Sequence, residues 1–110
     1  MATPDLFSRN PASTAVYEAL IRMVHEIGPT KIEEKKTSLH VLNGRAAFLG
    51  IHPRKSGVRV NIVLARPLES ARVAKAERVS ANRYHNELDI REVSELDDEL
   101  VGWIREAYER

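Results

Sequence analysis

Four histidines, at positions 25, 40, 52 and 85, are the side chains of this 110-residue sequence best suited to chemistry near neutral pH. An imidazole can ligate a metal, shuttle a proton, or donate and accept hydrogen bonds. Ligation from a single element needs close spacing, as in His-Glu-x-x-His on a helix, and these four are far apart in sequence. Cysteine is absent. Its absence removes zinc–thiolate centres, iron–sulfur clusters, thiol nucleophiles and disulfides together. There is no Gly-x-Gly-x-x-Gly turn, no phosphate loop ending in Gly-Lys-Ser/Thr and no Gly-x-Ser-x-Gly elbow. The sequence therefore assigns no catalytic residue, no metal site and no cofactor, and it points away from an enzyme.

What the histidines can do depends on the elements that carry them. Asn10-Pro11 has the form of a helix start, because Asn caps free backbone N–H groups and Pro fits the first helical position. Val16, Leu20, Met23 and Ile27 then mark one apolar helix face, which leaves His25 facing solvent. Gly28-Pro29 ends the helix, with Gly28 expected in the left-handed conformation. Leu39 and Val41 alternate with Ser38 and His40, and Asn43-Gly44 marks a hairpin. The run 46–51 is apolar on both parities, as in a strand covered on two sides, and His52-Pro53 closes it. Ser56-Gly57 makes a second turn, and Val58, Val60, Ile62 and Leu64 give a strand with one buried face.

Residues 66–83 show no clear period, and a loop followed by a short strand near 75–79 is expected there. From Tyr84 to Val93 the period of two returns, with Leu88 and Ile90 inward and His85, Glu87, Asp89 and Arg91 outward. Carboxylates beside it should make His85 easier to protonate. Ser94 is expected to cap a last helix whose apolar face holds Leu96, Leu100, Trp103, Ile104 and Ala107. The fold class is α+β: a two-layer sandwich of helix, antiparallel sheet of four to five strands, and helix, with both helices on one face. Residues 1–9 form a flexible lead and residues 10–110 a single domain. Leu20, Val60, Leu88, Leu100 and Trp103 are expected in one core.

The start of the chain lacks the basic and apolar runs of a signal peptide, and no stretch reaches the length of a membrane span. A cytoplasmic protein with no membrane partner is the expectation. The net charge of +1 hides an asymmetry: −1 over residues 1–30, +8 over 31–85 and −6 over 86–110. Lys35, Lys36, Arg45, Arg54, Lys55 and Arg59 are thus candidates for contact with a polyanion. The principal reading is a binding or interaction module that meets a polyanion or a protein partner through this basic face. The other reading places a small-molecule- or metal-handling site on the open sheet face, at His40, His52, His85 and Glu87.

Four segments carry a resemblance to a known family. They are Arg45-Ala-Ala-Phe48, Val58-Arg-Val-Asn-Ile-Val-Leu64, Tyr84-His85, and the closing Glu95-Leu-Asp-Asp-Glu-Leu followed by Trp103-Ile-Arg-Glu-Ala-Tyr108. Over roughly Pro11 to Tyr108 the chain resembles the domain of unknown function DUF5655, a bacterial set of small domains. The resemblance implies a free-standing cytoplasmic module and transfers no site residues. The order of elements is also similar to the frataxin-like arrangement, whose iron-binding acidic first helix is not matched by a segment holding only Glu18 and Glu26.

Overall fold

The computed structural model describes residues 4–110. Helix α1 (Asp5–Ser8) leads into the long helix α2 (Pro11–Ile27). Asn10 caps α2, its side chain accepting from the Ala12 N–H at 2.9 Å, and Pro11 takes the first helical position. Six strands follow: β1 (Lys31–Glu34), β2 (Leu39–Leu42), β3 (Ala47–Arg54), β4 (Gly57–Leu64), β5 (Val73–Ser80) and β6 (Arg83–Ile90). A 3₁₀ turn (Val93–Glu95) and helix α3 (Asp98–Glu109) close the chain.

The strands form one open antiparallel sheet in the order β1-β2-β3-β4-β6-β5. The apolar parity of each central strand supplies the core: Leu39 and Val41, Leu49 and Ile51, Val58 to Leu64 by twos, and Leu88 and Ile90. Helices α2 and α3 both pack against β4 and touch each other. Val16, Leu20, Val24, Leu100 and Ile104 share a single core with those strand residues. Removing this apolar surface from water is the main stabilising contribution, at about 25 cal/mol per Å². Among the described residues, no helix is long and apolar enough to cross a membrane.

The architecture is α+β, and several details depart from the sequence expectation. There are six strands rather than four or five. Lys31–Glu34 has no apolar alternation, yet it pairs with β2 as an edge strand. Strand β5 runs from Val73 to Ser80, longer than the expected 75–79, and its residues are mostly exposed. The helix α1 occupies part of the segment expected as a flexible lead, because fully buried Phe7 stacks on Tyr17 with ring centroids 4.3 Å apart. Residues 1–3 of that lead lie outside the described residues. Asp97, not Ser94, caps α3 by accepting from the Leu100 N–H, and Glu92 with Glu95 forms a capping box on the 3₁₀ turn.

Gly28 has φ of 169°, extended rather than left-handed. What requires glycine there is space: a Cβ would run into the Tyr108 ring and hydroxyl. That hydroxyl donates to the Pro29 carbonyl at 2.9 Å, joining the end of α3 to the end of α2. Trp103 lies at the edge of the core, partly buried, with the Arg72 guanidinium 5.7 Å from its ring centroid. Buried Asn86 organises the segment after β4. It accepts from the Leu68 N–H and donates to the Ile62 and Arg66 carbonyls.

Candidate functional site

The strand parity that builds the core places the remaining residues on the opposite face of the sheet. One row crosses all six strands there: Glu33, His40, Gly50, Asn61, Glu87 and Lys75 are successive cross-strand partners. A flanking row holds His52, Arg59 and Asp89, and another holds Val63, His85 and Glu77. Three of the four histidines therefore share this face. His25 stands apart on α2, its Nδ1 3.0 Å from the Thr30 hydroxyl.

Between these rows lies a shallow hollow of about 100 Å³, lined by His40, Ala47, Asn61, Val63, Arg83 and His85 and by part of core-buried Leu49. Gly50 also lines it, and its lack of a side chain leaves the hollow open. A Cβ at that position would lie 3.5 Å from the Asn61 Cβ and 4.0 Å from His40 Cδ2. The strand needs no glycine at this point, since Gly50 is not among the glycines with positive φ. A glycine inside a strand weakens it and often marks close approach by a ligand or another backbone.

Two buried side-chain atoms among the described residues have no hydrogen-bond partner, Asn61 Oδ1 and His85 Nε2. Both residues line this hollow. An unpartnered buried polar atom costs about 1–3 kcal/mol. Two on one face of the sheet call for an explanation in function or in an added group.

Burial holds the His85 imidazole below its ordinary titration range, with Arg83 adding to the effect against Glu77 and Glu87. The expectation of easier protonation beside carboxylates is thus reversed by desolvation. His52 is also lowered, first by burial, against the attraction of Glu87. His40 contributes unfavourably to the charging of both. His52 and His85 are therefore neutral imidazoles at neutral pH. Among the described residues, no three His, Asp or Glu side chains are grouped as a metal ion would need.

A sequence model of the family described as Domain of unknown function (DUF5655) matches residues 3–110. The chain belongs to the DUF5655 family. It matches no curated protein and no solved structure.

In this DUF5655 domain the six basic candidates do not share one face. Lys35 and Lys36 sit in the β1–β2 turn and Arg54 and Lys55 at the β3–β4 turn, which the strand register places at the same end of the sheet. Carboxylates are interleaved there: Lys35 lies 3.4 Å from Glu33, and Arg54 3.9 Å from Asp89. Arg59 lies on the open face and grips Asp89 through two hydrogen bonds of 2.9 and 3.1 Å, with Glu87 at 3.6 Å. Its bidentate bond holds the Asp89 carboxyl below the usual range. Arg45 is at the other end, donating to the Arg110 carbonyl. The four open-face candidates fare differently. His40 and His85 line the hollow, while Glu87 and His52 flank it. Gly50 and Arg83 escaped the sequence reading. The signal for Gly50 was available, as the one glycine inside the apolar run 46–51.

Proposed function

We propose that this DUF5655 domain is a binding module without catalytic activity of its own, and that it takes a small molecule in the hollow over Gly50. The observation that carries this reading is a hollow on the open face that a glycine keeps clear and that His40, Asn61 and His85 line, with Asn61 Oδ1 and His85 Nε2 buried and unpartnered in those same residues. Either side chain would gain a partner by turning its buried atom out to a ligand in the hollow, which would recover free energy that its isolation costs. A polyanion has less support, because the basic end of the sheet is interleaved with Glu33, Glu34 and Asp89 and because Arg59 is already paired. The lack of cysteine suits the reducing cytoplasm in which we place the protein.

Thermal unfolding against a panel of uncharged and charged small molecules tests the reading in wild type and Gly50→Val. The β-branched side chain suits a strand and occupies the hollow. A ligand at one hundred times its Kd should stabilise the wild type by about 2.7 kcal/mol. The same ligand should leave Gly50→Val unmoved, although that variant melts no lower. Ligands that stabilise both proteins equally would place binding elsewhere. Salt-sensitive binding of RNA or DNA, unchanged in Gly50→Val, would restore the polyanion reading.

A further inference from the structure

Strand β5 ends the sheet order, and among the described residues it pairs with β6 alone. The backbone N–H and C=O groups along its outer side are thus open to another strand. Natural edges are blunted by being short or heavily charged. The opposite edge follows that rule, since β1 has four residues, three of them charged. Strand β5 has eight, and all but Val73 are exposed. Its ladder is irregular only near its ends, between Val73 and Lys75 and between Arg78 and Ser80, so residues 75–78 keep regular register with β6. A lysine on an edge normally guards it by repulsion. Here the carboxylate that can answer Lys75 stands two residues on, at Glu77.

Two copies joined at this edge about a two-fold axis normal to the sheet run antiparallel and keep each face on its own side. Residues that meet must then share a face. Lys75 and Glu77 lie on the open face, as partners of Glu87 and His85, and Ala76 and Arg78 on the helix face, as partners of Asn86 and Tyr84. An axis at Ala76 sets Lys75 of each copy opposite Glu77 of the other. Moving the axis to Lys75 sets lysine against lysine, and moving it to Glu77 sets glutamate against glutamate. Opposite charges across a strand pair stabilise it, and like charges destabilise it. The axis at Ala76 also brings Val79, a large apolar side chain left half exposed, toward Val73 of the other copy. We infer that this domain forms a symmetric dimer with a second copy of itself, β5 pairing with β5 about Ala76 to join the two sheets into one. Eight residues a side is well below the roughly 20–30 of a standard interface, so the dimer is a reversible one that dissociates on dilution. Strand β5 contributes none of the described lining of the hollow over Gly50, so the two proposals stand separately.

Sedimentation velocity of the full chain over a range of concentrations tests the dimer, and two charge reversals test its register. Lys75→Glu alone sets glutamate against glutamate across the axis, and Glu77→Lys alone sets lysine against lysine. Each should weaken the dimer by about tenfold or more. Mixing the two variants should restore it as a heterodimer, because every facing pair then joins unlike charges. One chain carrying both reversals should dimerise as the wild type does. Both side chains are more than half exposed, so the variants should fold as the wild type does by circular dichroism. The chain has no cysteine, which allows a second measurement should a reversal fail to fold. Oxidation should link two copies of Ala76→Cys, where facing Cα atoms are about 4.5–5.5 Å apart. Ala74→Cys, out of register with its own copy, should stay unlinked. A chain that stays monomeric up to about 1 mM would overturn the dimer. A dimer that both reversals leave unchanged lies elsewhere on the surface and overturns the β5 edge. Weakened variants that do not recover on mixing, or equal linking at 74 and 76, would overturn the register about Ala76.

Discussion

At His85 burial outweighs the two carboxylates beside it, and the consequence is measurable. His85 and His52 should both titrate below the ordinary imidazole value of 6.5 when followed by NMR. Removing the Glu87 charge with Glu87→Gln takes away an attraction for both imidazolium forms, so both values should fall further. The sign for stability follows from the same shifts. Well above pH 6.5 these rings are neutral whether the chain is folded or not, and they contribute no pH dependence. As pH drops below 6.5 the unfolded chain takes up protons that the folded rings resist, so stability declines until the folded values are passed. Substitution of both rings, as in His52→Gln with His85→Gln, should flatten the denaturant-measured stability between pH 7 and 5. An unchanged slope would show that the imidazoles are not the source. Gly50→Ala, whose Cβ would make only ordinary contacts, should be at least as stable as wild type in the same melts.

At the scale of elements, the ends of the helices depend on contacts that are distant in sequence. Tyr108 at the end of α3 fills the space left by Gly28 and donates to the Pro29 carbonyl. Its ring also meets Phe48 edge-on at 5.3 Å. Gly28→Ala should therefore destabilise more than Tyr108→Phe, which loses only the hydroxyl. Combining Gly28→Ala with Tyr108→Ala should cost less than the sum of the two, since both act on one contact. Additive losses in denaturant melts would show the two positions to be independent. Helix α1 is as firmly joined to the body. Phe7→Ala should cost about 3–5 kcal/mol, the range for aromatic truncation in a core. Trp103→Ala should cost less than Phe7→Ala, because its ring is only partly buried. At the start of α3, Asp97→Ala should lower the melting temperature more than Ser94→Ala. Asp97 caps the helix and also pairs with Arg72, whereas Ser94 caps nothing.

For the whole molecule, the distribution of charge decides more than its total. The run of twelve basic residues between 31 and 85 reads as a basic surface only while it stays linear. In the fold, Arg66 pairs with Glu106, Arg72 with Asp97 and Glu99, and Arg59 with Asp89. The acidic last segment thus pairs with Arg54, Arg59, Arg66 and Arg72, four of those twelve basic residues. These are surface and half-buried pairs, each worth little in stability, but together they remove charge that a polyanion would need. Short duplex DNA tested by fluorescence anisotropy at low salt should show no saturable binding. A tight, steeply salt-dependent isotherm would reverse this conclusion.

Periodicity alone located α2, the hairpin at Asn43-Gly44 and the alternation of β4 and β6, because those signals are local: a cap, a turn residue, a face repeated every 3.6 or two residues. Parity also placed His40, His85 and Glu87 on one face, since it fixes which way a strand residue points, whereas His52, ending a run apolar on both parities, was set there by its pairing with Arg59. Only tertiary structure decided the rest. Strands β1 and β5 exist through pairing with β2 and β6, with little apolar pattern of their own. The segment 66–68 is held by Asn86, some twenty residues further along the chain. The hollow itself arises from register, which sets Gly50 of β3 opposite Asn61 of β4 and His85 of β6 opposite Val63. Register is a relation between strands, carried by the hydrogen-bond ladder and the packing of both faces. No single segment of sequence contains it.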